Sequence, residues 1–475
     1  MLKLAVTAAL AGVVALIATT AAMASPPTFS NQVLRAPATL PPGYTTSPPN
    51  QSGDSEPAID FGGPSNTMAL DGLGWLPFQV NLWKGHFGDT PPAYFGAMDT
   101  LLPIQGKGRI NLGDGDADVE VTSAGTTLLA DLDIIFNPNF NSAQLGVSVT
   151  RCPATATSKA GCTSKVLDTS GADRPWITTS GTTAYLSYHD SGSSTLIPVW
   201  RSTNDGISWT KVASPIPGQG GATGGATFNN SHGPIVADPA HPNIVYQPYA
   251  AGEASIQKGT SSNFNNIYVA RSTNGGATWT TKLVFHKPLF TDLANFWPAG
   301  AVDVNGTVYV AFTDRHTLWL SSSTDHGSTW TTRALTGTPA TVVMPWVAAL
   351  NGKVDVVYYG SSTTVDQGGS VGDANAVWNA YDTQRATAIS TWTTGLVSNE
   401  PNRKGIVCLQ GSACRANREL LDLFEVAENP ANGKAAVVFT KTHTVVGGQI
   451  VVMDTWTGPD GVTHQLPEIV LAYEQ

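Results

Sequence analysis

The chain has 475 residues and a net charge of −10, and only 13% of its residues are charged. That balance excludes a nucleic-acid binder, which needs basic patches. The 41% of hydrophobic residues can fill a sizeable core, and solubility falls to Ser, Thr, Gly and Asn.

Residues 1–24 read as an export signal, with an uncleaved membrane anchor as the alternative. Lys3 gives a basic start, Leu4 to Ile17 is apolar, and Ala22-Met23-Ala24 is a small-x-small cleavage site. No later run is long and apolar enough to span a bilayer. The expectation is a secreted, extracellular protein. Residues 25–54 are rich in Pro, Ser and Thr, with PPGYTTSPPNQSG at 41–53, and read as a linker or an extended arm.

Residues 55–475 read as one all-β domain. Seven segments share a pattern of apolar strand, Gly/Asn/Pro turn and a second strand rich in Val and Tyr. They begin at EPAIDFGG (56–63), DVEVTSAG (118–125), RPWITTSG (174–181), GPIVADPAHPN (233–243), PAGAVDVNG (298–306), PWVAALNG (345–352) and LFEVAENPANG (423–433). Repeated units of four strands predict a β-propeller, whose radial closure leaves few free sheet edges. The count favours seven blades; six is the alternative if residues 56–100 form an arm. The four cysteines fall into two close pairs, Cys152/Cys162 and Cys408/Cys414. In an exported protein they predict two local disulfides. A zinc site is the rival reading, without the usual CxxC spacing.

One turn motif recurs three times: RSTNDGISW at 201–209, RSTNGGATW at 271–279 and SSTDHGSTW at 322–330. Asp325 is placed to accept backbone N–H groups in its own turn, Gly327 supplies a left-handed backbone, and Trp330 packs back on the sheet. Asn204 and Asn274 take the place of Asp325, and an eroded fourth copy ends at Ser390-Thr391-Trp392. The motif resembles the Asp-box, or BNR repeat, of the sialidase superfamily. That resemblance implies a fold-stabilising turn on the rear face, away from an active site.

Propeller geometry then sorts the polar residues. Positions just before first strands and just after second strands share the front face. Before first strands stand Asp114, Asp116, Asp118, Asp173-Arg174, His232, Asn295 and Arg418-Glu419 with Asp422. After second strands stand Asp131, Asp133, His189-Asp190, Glu253, Asp314-Arg315-His316 and Tyr358-Tyr359. Carboxyls flanked by arginines suit binding and cleavage of an acidic sugar, since a guanidinium fork matches a carboxylate. The bland reading is a wet channel with ion pairs between blades.

The superfamily resemblance implies three arginines on a substrate carboxylate, an Asp acid/base, and a Tyr nucleophile helped by a Glu. It assigns Arg174, Arg315 and Arg418 as the triad, Tyr358 or Tyr359 as nucleophile and Glu253 as helper. Arg109-Ile110-Asn111 lacks the proline of the family's Arg-Ile-Pro motif. Asp173-Arg174-Pro175-Trp176 and Tyr188-His189-Asp190 look like a motif of secreted bacterial sialidase-like proteins. The candidate catalytic set is therefore Asp173, Arg174, His189, Asp190, Glu253, Asp314, Arg315, Tyr358 and Arg418.

Asp114, Asp116 and Asp118 alternate in a Gly-containing turn that suits a structural Ca²⁺, without the full EF-hand pattern. No other cofactor is required. Gly368-Gly369-Ser370-Val371-Gly372 matches G-x-S-x-G, but no helix follows to make a nucleophile elbow. The function expected is a sialidase-like glycoside hydrolase acting on a glycan, as a monomer. The alternatives are a non-catalytic extracellular binding propeller, or a polysaccharide lyase using His189, Tyr188 and Arg174.

Overall fold

The computed structural model describes residues 25–36, 55–74, 80–98, 102–104, 109–136, 143–190, 196–216, 230–252, 264–411, 414, 416–457 and 463–475. Seven antiparallel sheets form a ring, each built on four strands and three of them carrying a fifth. The innermost strands of blades 1 to 7 are Ile59–Gly62, Arg109–Val121, Ala172–Ser180, Val236–Asp238, Ala299–Val302, Thr341–Leu350 and Glu425–Glu428. Each packs beside the next around the axis, and Glu425–Glu428 returns to Ile59–Gly62. The seven-blade count is borne out, and residues 56–100 supply the whole of blade 1. The expected export signal lies outside the described residues, as does most of the expected linker.

Six residues of that linker segment have a different place. Phe29–Leu34 forms the outermost strand of blade 7, paired with the C-terminal strand Glu468–Glu474 in the register Phe29↔Glu474 to Leu34↔Ile469. The ring is therefore closed by pairing the two ends of the domain.

Second strands are covered on both faces by neighbouring blades. All nine residues of Lys353–Ser361 are buried, as are all six of Val308–Thr313. A strand buried on both faces reads as a near-continuous apolar run, which is why Val and Tyr dominate these segments. Trp176, Trp297 and Trp346 meet in the largest core cluster, with ring centroids 4.9 and 5.6 Å from Trp176.

Innermost strands have an inner edge with no strand beside it, so its N–H groups need other acceptors. Side chains supply them from blade to blade. Asp60 accepts from Val121 N at 2.7 Å, Asp118 from Ile177 N at 2.8 Å and Glu425 from Ile59 N at 3.0 Å. The channel wall is acidic for this structural reason. Asp60, Asp118, Glu120, Glu425 and Glu428 line one cavity of about 270 Å³.

The three repeated turns join third to fourth strands in blades 3, 4 and 5 and share one bonding scheme. In the third, Ser323 Oγ donates to Asp325 at 2.7 Å and accepts from Gly327 N at 2.8 Å. Asp325 Oδ1 accepts from Ser328 N and Thr329 N at 3.1 and 2.8 Å, and Trp330 Nε1 donates to Gly327 O at 3.1 Å. Asn204 and Asn274 accept from Ser208 N and Thr278 N at 3.0 and 2.9 Å. These turns lie on the same face as the first hairpin of each blade. Asp205 of blade 3 accepts from Thr122 and Thr126 in the first hairpin of blade 2 and from Arg151. Ser323→Ala leaves the buried Gly327 N–H without its acceptor. It is expected to cost about 1–3 kcal/mol, read as a lower thermal midpoint, while any ligand bound on the front stays bound.

Candidate functional site

The front face carries the blade-to-blade connections and the loops from second to third strands. Arg174 enters blade 3 at a bulge between Asp173 and Trp176, with φ 53°. Left-handed backbone is costly for a side-chain-bearing residue and persists only where surroundings enforce it. Here the Trp297 ring lies 5.0 Å beneath the guanidinium, and Asp422 Oδ2 stands 3.7 Å from Nη2. Arg418 reaches the same oxygen at 3.2 Å. Asp422 is thus the common anchor of two of the three expected arginines. Its own backbone N–H donates to Glu56 at 2.8 Å.

Glu56 is buried, has φ 49°, and hydrogen-bonds Asp116 carboxyl to carboxyl. Burial first, then Asp116 and Asp422, pushes the Glu56 pKa well up, and Arg418 only partly offsets this. Burial and the charges of Asp173 and Asp422 push Asp116 up to about 6. A carboxyl that keeps its proton near neutral pH is suited to proton donation. Of the expected Ca²⁺ residues, Asp116 turns to Glu56 and Asp118 accepts from Ile177 N. The Asp114 side chain lies outside the described residues. Among the described residues no group of three His, Cys, Asp or Glu is arranged to hold a metal ion.

On the other side of Arg174, His189 and His232 stack with centroids 5.9 Å apart and planes 16° apart. Burial, His189 and Arg174 drive the His232 pKa well down, so this imidazole is neutral. A neutral His232 can donate from Nε2 to Arg174 O at 3.3 Å, bracing the strained turn.

A cavity of about 590 Å³ opens beside this cluster, with Arg174 and Arg315 both in its wall. Arg315, on blade 5, has φ 77°. Its Nη1 donates to Asp366 at 2.9 Å and to Gly368 O at 2.7 Å, and its Nη2 to Asp292 at 3.3 Å. Asp366 and Gly368 belong to the Gly-rich insertion of blade 6, which forms a two-stranded ribbon with Val407–Cys408. The expected disulfides Cys152–Cys162 and Cys408–Cys414 are both formed, and the second holds the loop that carries the cavity residues Leu409 and Gln410. Ser370 lies within the ribbon, with no helix after it.

Other expected site residues stand apart. Tyr358 is a correction: it is fully buried inside blade 6, hydrogen-bonded to Thr383 Oγ1 at 2.9 Å, and burial drives its pKa up. Both faces of its strand are packed, so position after a second strand does not bring it to the front. Tyr359 is equally buried and accepts from Thr440 N at 2.8 Å. Tyr188 is buried with its hydroxyl on Asp168, which removes it from the lyase set. Asp314 folds its own turn, accepting from His316 N and Thr317 N at 3.2 and 2.8 Å, with Lys287 at 3.6 Å. Asp190 ends its strand opposite Ala172. Glu253 lies outside the described residues.

Asp292 is the cavity carboxyl that sequence reading missed. Burial raises its pKa, against the lowering pull of Ala294 N and Arg315. Its place on a blade-to-blade connection, three residues before Asn295, is the signal that could have found it.

No family model matches the chain, and no curated protein does. Among solved structures it is similar to an α-L-arabinanase of Penicillium chrysogenum, at 11% identity over 93% of this chain and 98% of that one, with a TM-score of 0.43. It is similar to an ulvan lyase at 8% identity, covering 85% and 94%, with a TM-score of 0.47. A sialidase is similar at 12% identity, covering 64% and 63%, with a TM-score of 0.42.

Proposed function

We propose that this chain is an exported glycan-active propeller that takes an acidic sugar in its front cavity and hydrolyses the glycosidic bond. The observation that carries the reading is the pairing of Arg174 and Arg315 in one cavity wall, beside carboxyls whose pKa values are raised. Two guanidinium groups attract a sugar carboxylate. A protonated carboxyl can deliver its proton to the leaving oxygen, while a second, ionised one activates water.

A non-catalytic binding propeller is the second reading. It is favoured by the prior engagement of both arginines, Arg315 by Asp292 and Asp366 and Arg174 by Asp422. A panel of acidic oligosaccharides incubated with the protein separates the readings. New reducing ends mark a hydrolase, an ultraviolet-absorbing unsaturated product marks a lyase, and binding without product marks the second reading. Arg315→Ala is expected to weaken binding of a carboxylate-bearing sugar about 10- to 100-fold, the worth of a charged hydrogen bond. Unchanged affinity in a folded Arg315→Ala protein would remove the cavity from the proposal.

A further inference from the structure

We propose that Asn295 selects the ligand of the front cavity by accepting a hydrogen bond from a sugar hydroxyl; this rests on the cavity being a glycan site. Asn295 lines the cavity and is 3% exposed. Its backbone is left-handed, at φ 40°, and Phe296 follows at 81°. Asn tolerates that region better than most residues, but a bulky Phe holds it only where the surroundings enforce it. Asp292 supplies that constraint by accepting the backbone N–H groups of Ala294 and Asn295.

The amide orientation follows from chemistry. Nδ2 lies 3.3 Å from Thr313 O, and a carbonyl can only accept, so the nitrogen faces Thr313. Oδ1 is thereby left buried with no protein donor. Nearly all buried polar atoms in folded proteins are paired, and an exception calls for an explanation.

A second unspent group stands in the same wall. Arg315 Nε is buried without an acceptor, while the other two nitrogens are engaged. The Thr313 carbonyl accepts from Asn295 Nδ2, and the Thr313 hydroxyl accepts from the Arg315 backbone N–H at 2.9 Å. The unspent acceptor on Asn295 matches a hydroxyl, which can donate a hydrogen bond, and the guanidinium of Arg315 matches an anion. A carboxylate cannot serve Asn295 Oδ1, because it has no proton to give. The wall therefore reads two features of one ligand, an anion at the guanidinium and a hydroxyl at the amide.

Asn295→Gly removes the acceptor and tolerates the left-handed backbone. Wild type and variant would be titrated calorimetrically with methyl glucuronide, methyl galacturonide and their monodeoxy analogues. In wild type, loss of one particular hydroxyl should weaken binding about tenfold. In Asn295→Gly that penalty should vanish while the variant still folds, read as a cooperative melt. A variant that penalises the same deoxy sugar as strongly as wild type overturns this inference alone. A wild type that binds neither uronide overturns the acidic-sugar reading as well.

Discussion

A protein lacking residues 25–34 is expected to melt at least about 10 °C below the full chain and to lose its single cooperative transition. The strand Phe29–Leu34 contributes more than one set of sheet hydrogen bonds. Leu34 is buried in the core shared by blades 1 and 7. Asn31 bridges to blade 6, donating to Val397 O at 2.8 Å and accepting from Asn399 N at 2.7 Å. Gln32 bridges to blade 1 through Asp89 O at 2.7 Å. Arg35, just beyond the strand, holds Glu468 at 3.0 and 2.7 Å. Without the strand, Glu468–Glu474 becomes a bare edge, and the contacts to both neighbouring blades go with it. Leu34→Ala alone should cost about 2–4 kcal/mol. Differential scanning calorimetry checks both variants; a truncated protein that melts with the full chain would make the strand ornamental.

Stability should fall as pH rises from about 5 to about 8.5, a direction opposite to that of proteins whose carboxylates are salt-bridged. Burial raises Asp116 to about 6, Asp60 to about 7 and Asp118 to about 8, and moves Glu120 and Glu425 up as well. These folded values lie above the unfolded ones, so the folded state binds more protons across this window. The resulting stabilisation is complete below the unfolded values near 4 and is lost as pH climbs through the folded values. A tenfold difference in a group's proton affinity between the folded and unfolded chain is worth about 1.4 kcal/mol, so several groups together amount to several kcal/mol. The groups facing one another are Asp60 from blade 1, Asp118 and Glu120 from blade 2, and Glu425 and Glu428 from blade 7, with Asp71 beside Glu425 and Lys353 and Asp355 beside Glu428. Asp168, Asp325 and Glu474 are shifted down and give the opposite slope at lower pH. Thermal melts from pH 4 to 9 should peak near 5, and Glu120→Gln should flatten the alkaline limb. A midpoint that climbs toward pH 8 would contradict the assignment.

The blade count and the rear turns were legible because both are local. A Ser, an Asp or Asn and a Gly at fixed spacing fold their own turn wherever they occur. That Arg174, Arg315 and Arg418 stand on the front face was legible from position, since connections to first strands and loops after second strands must share one face. The closing strand was not. Its partner lies more than 430 residues away, and a Pro- and Ser-rich neighbourhood gives FSNQVL no visible turn or repeat context. Tyr358 misled because a strand sandwiched between blades has no outward side, so tyrosine there packs instead of protruding. Asp292 and Glu56 escaped notice because their importance comes from burial and from neighbours on other blades, which spacing does not encode.

Pairing of Phe29 with Glu474 also imposes a schedule on a chain made from its N-terminus. Phe29–Leu34 is made before blades 1 to 6, yet its partner Glu468–Glu474 follows more than 430 residues later. Blades 1 to 6 can form in order as they appear, but blade 7 stays incomplete and Phe29–Leu34 unpaired until Glu468–Glu474 has been made. A chain stalled shortly before Glu468 would hold six blades, a half-built seventh and an unpaired strand carrying Leu34. That state is the one a chaperone or protease would meet.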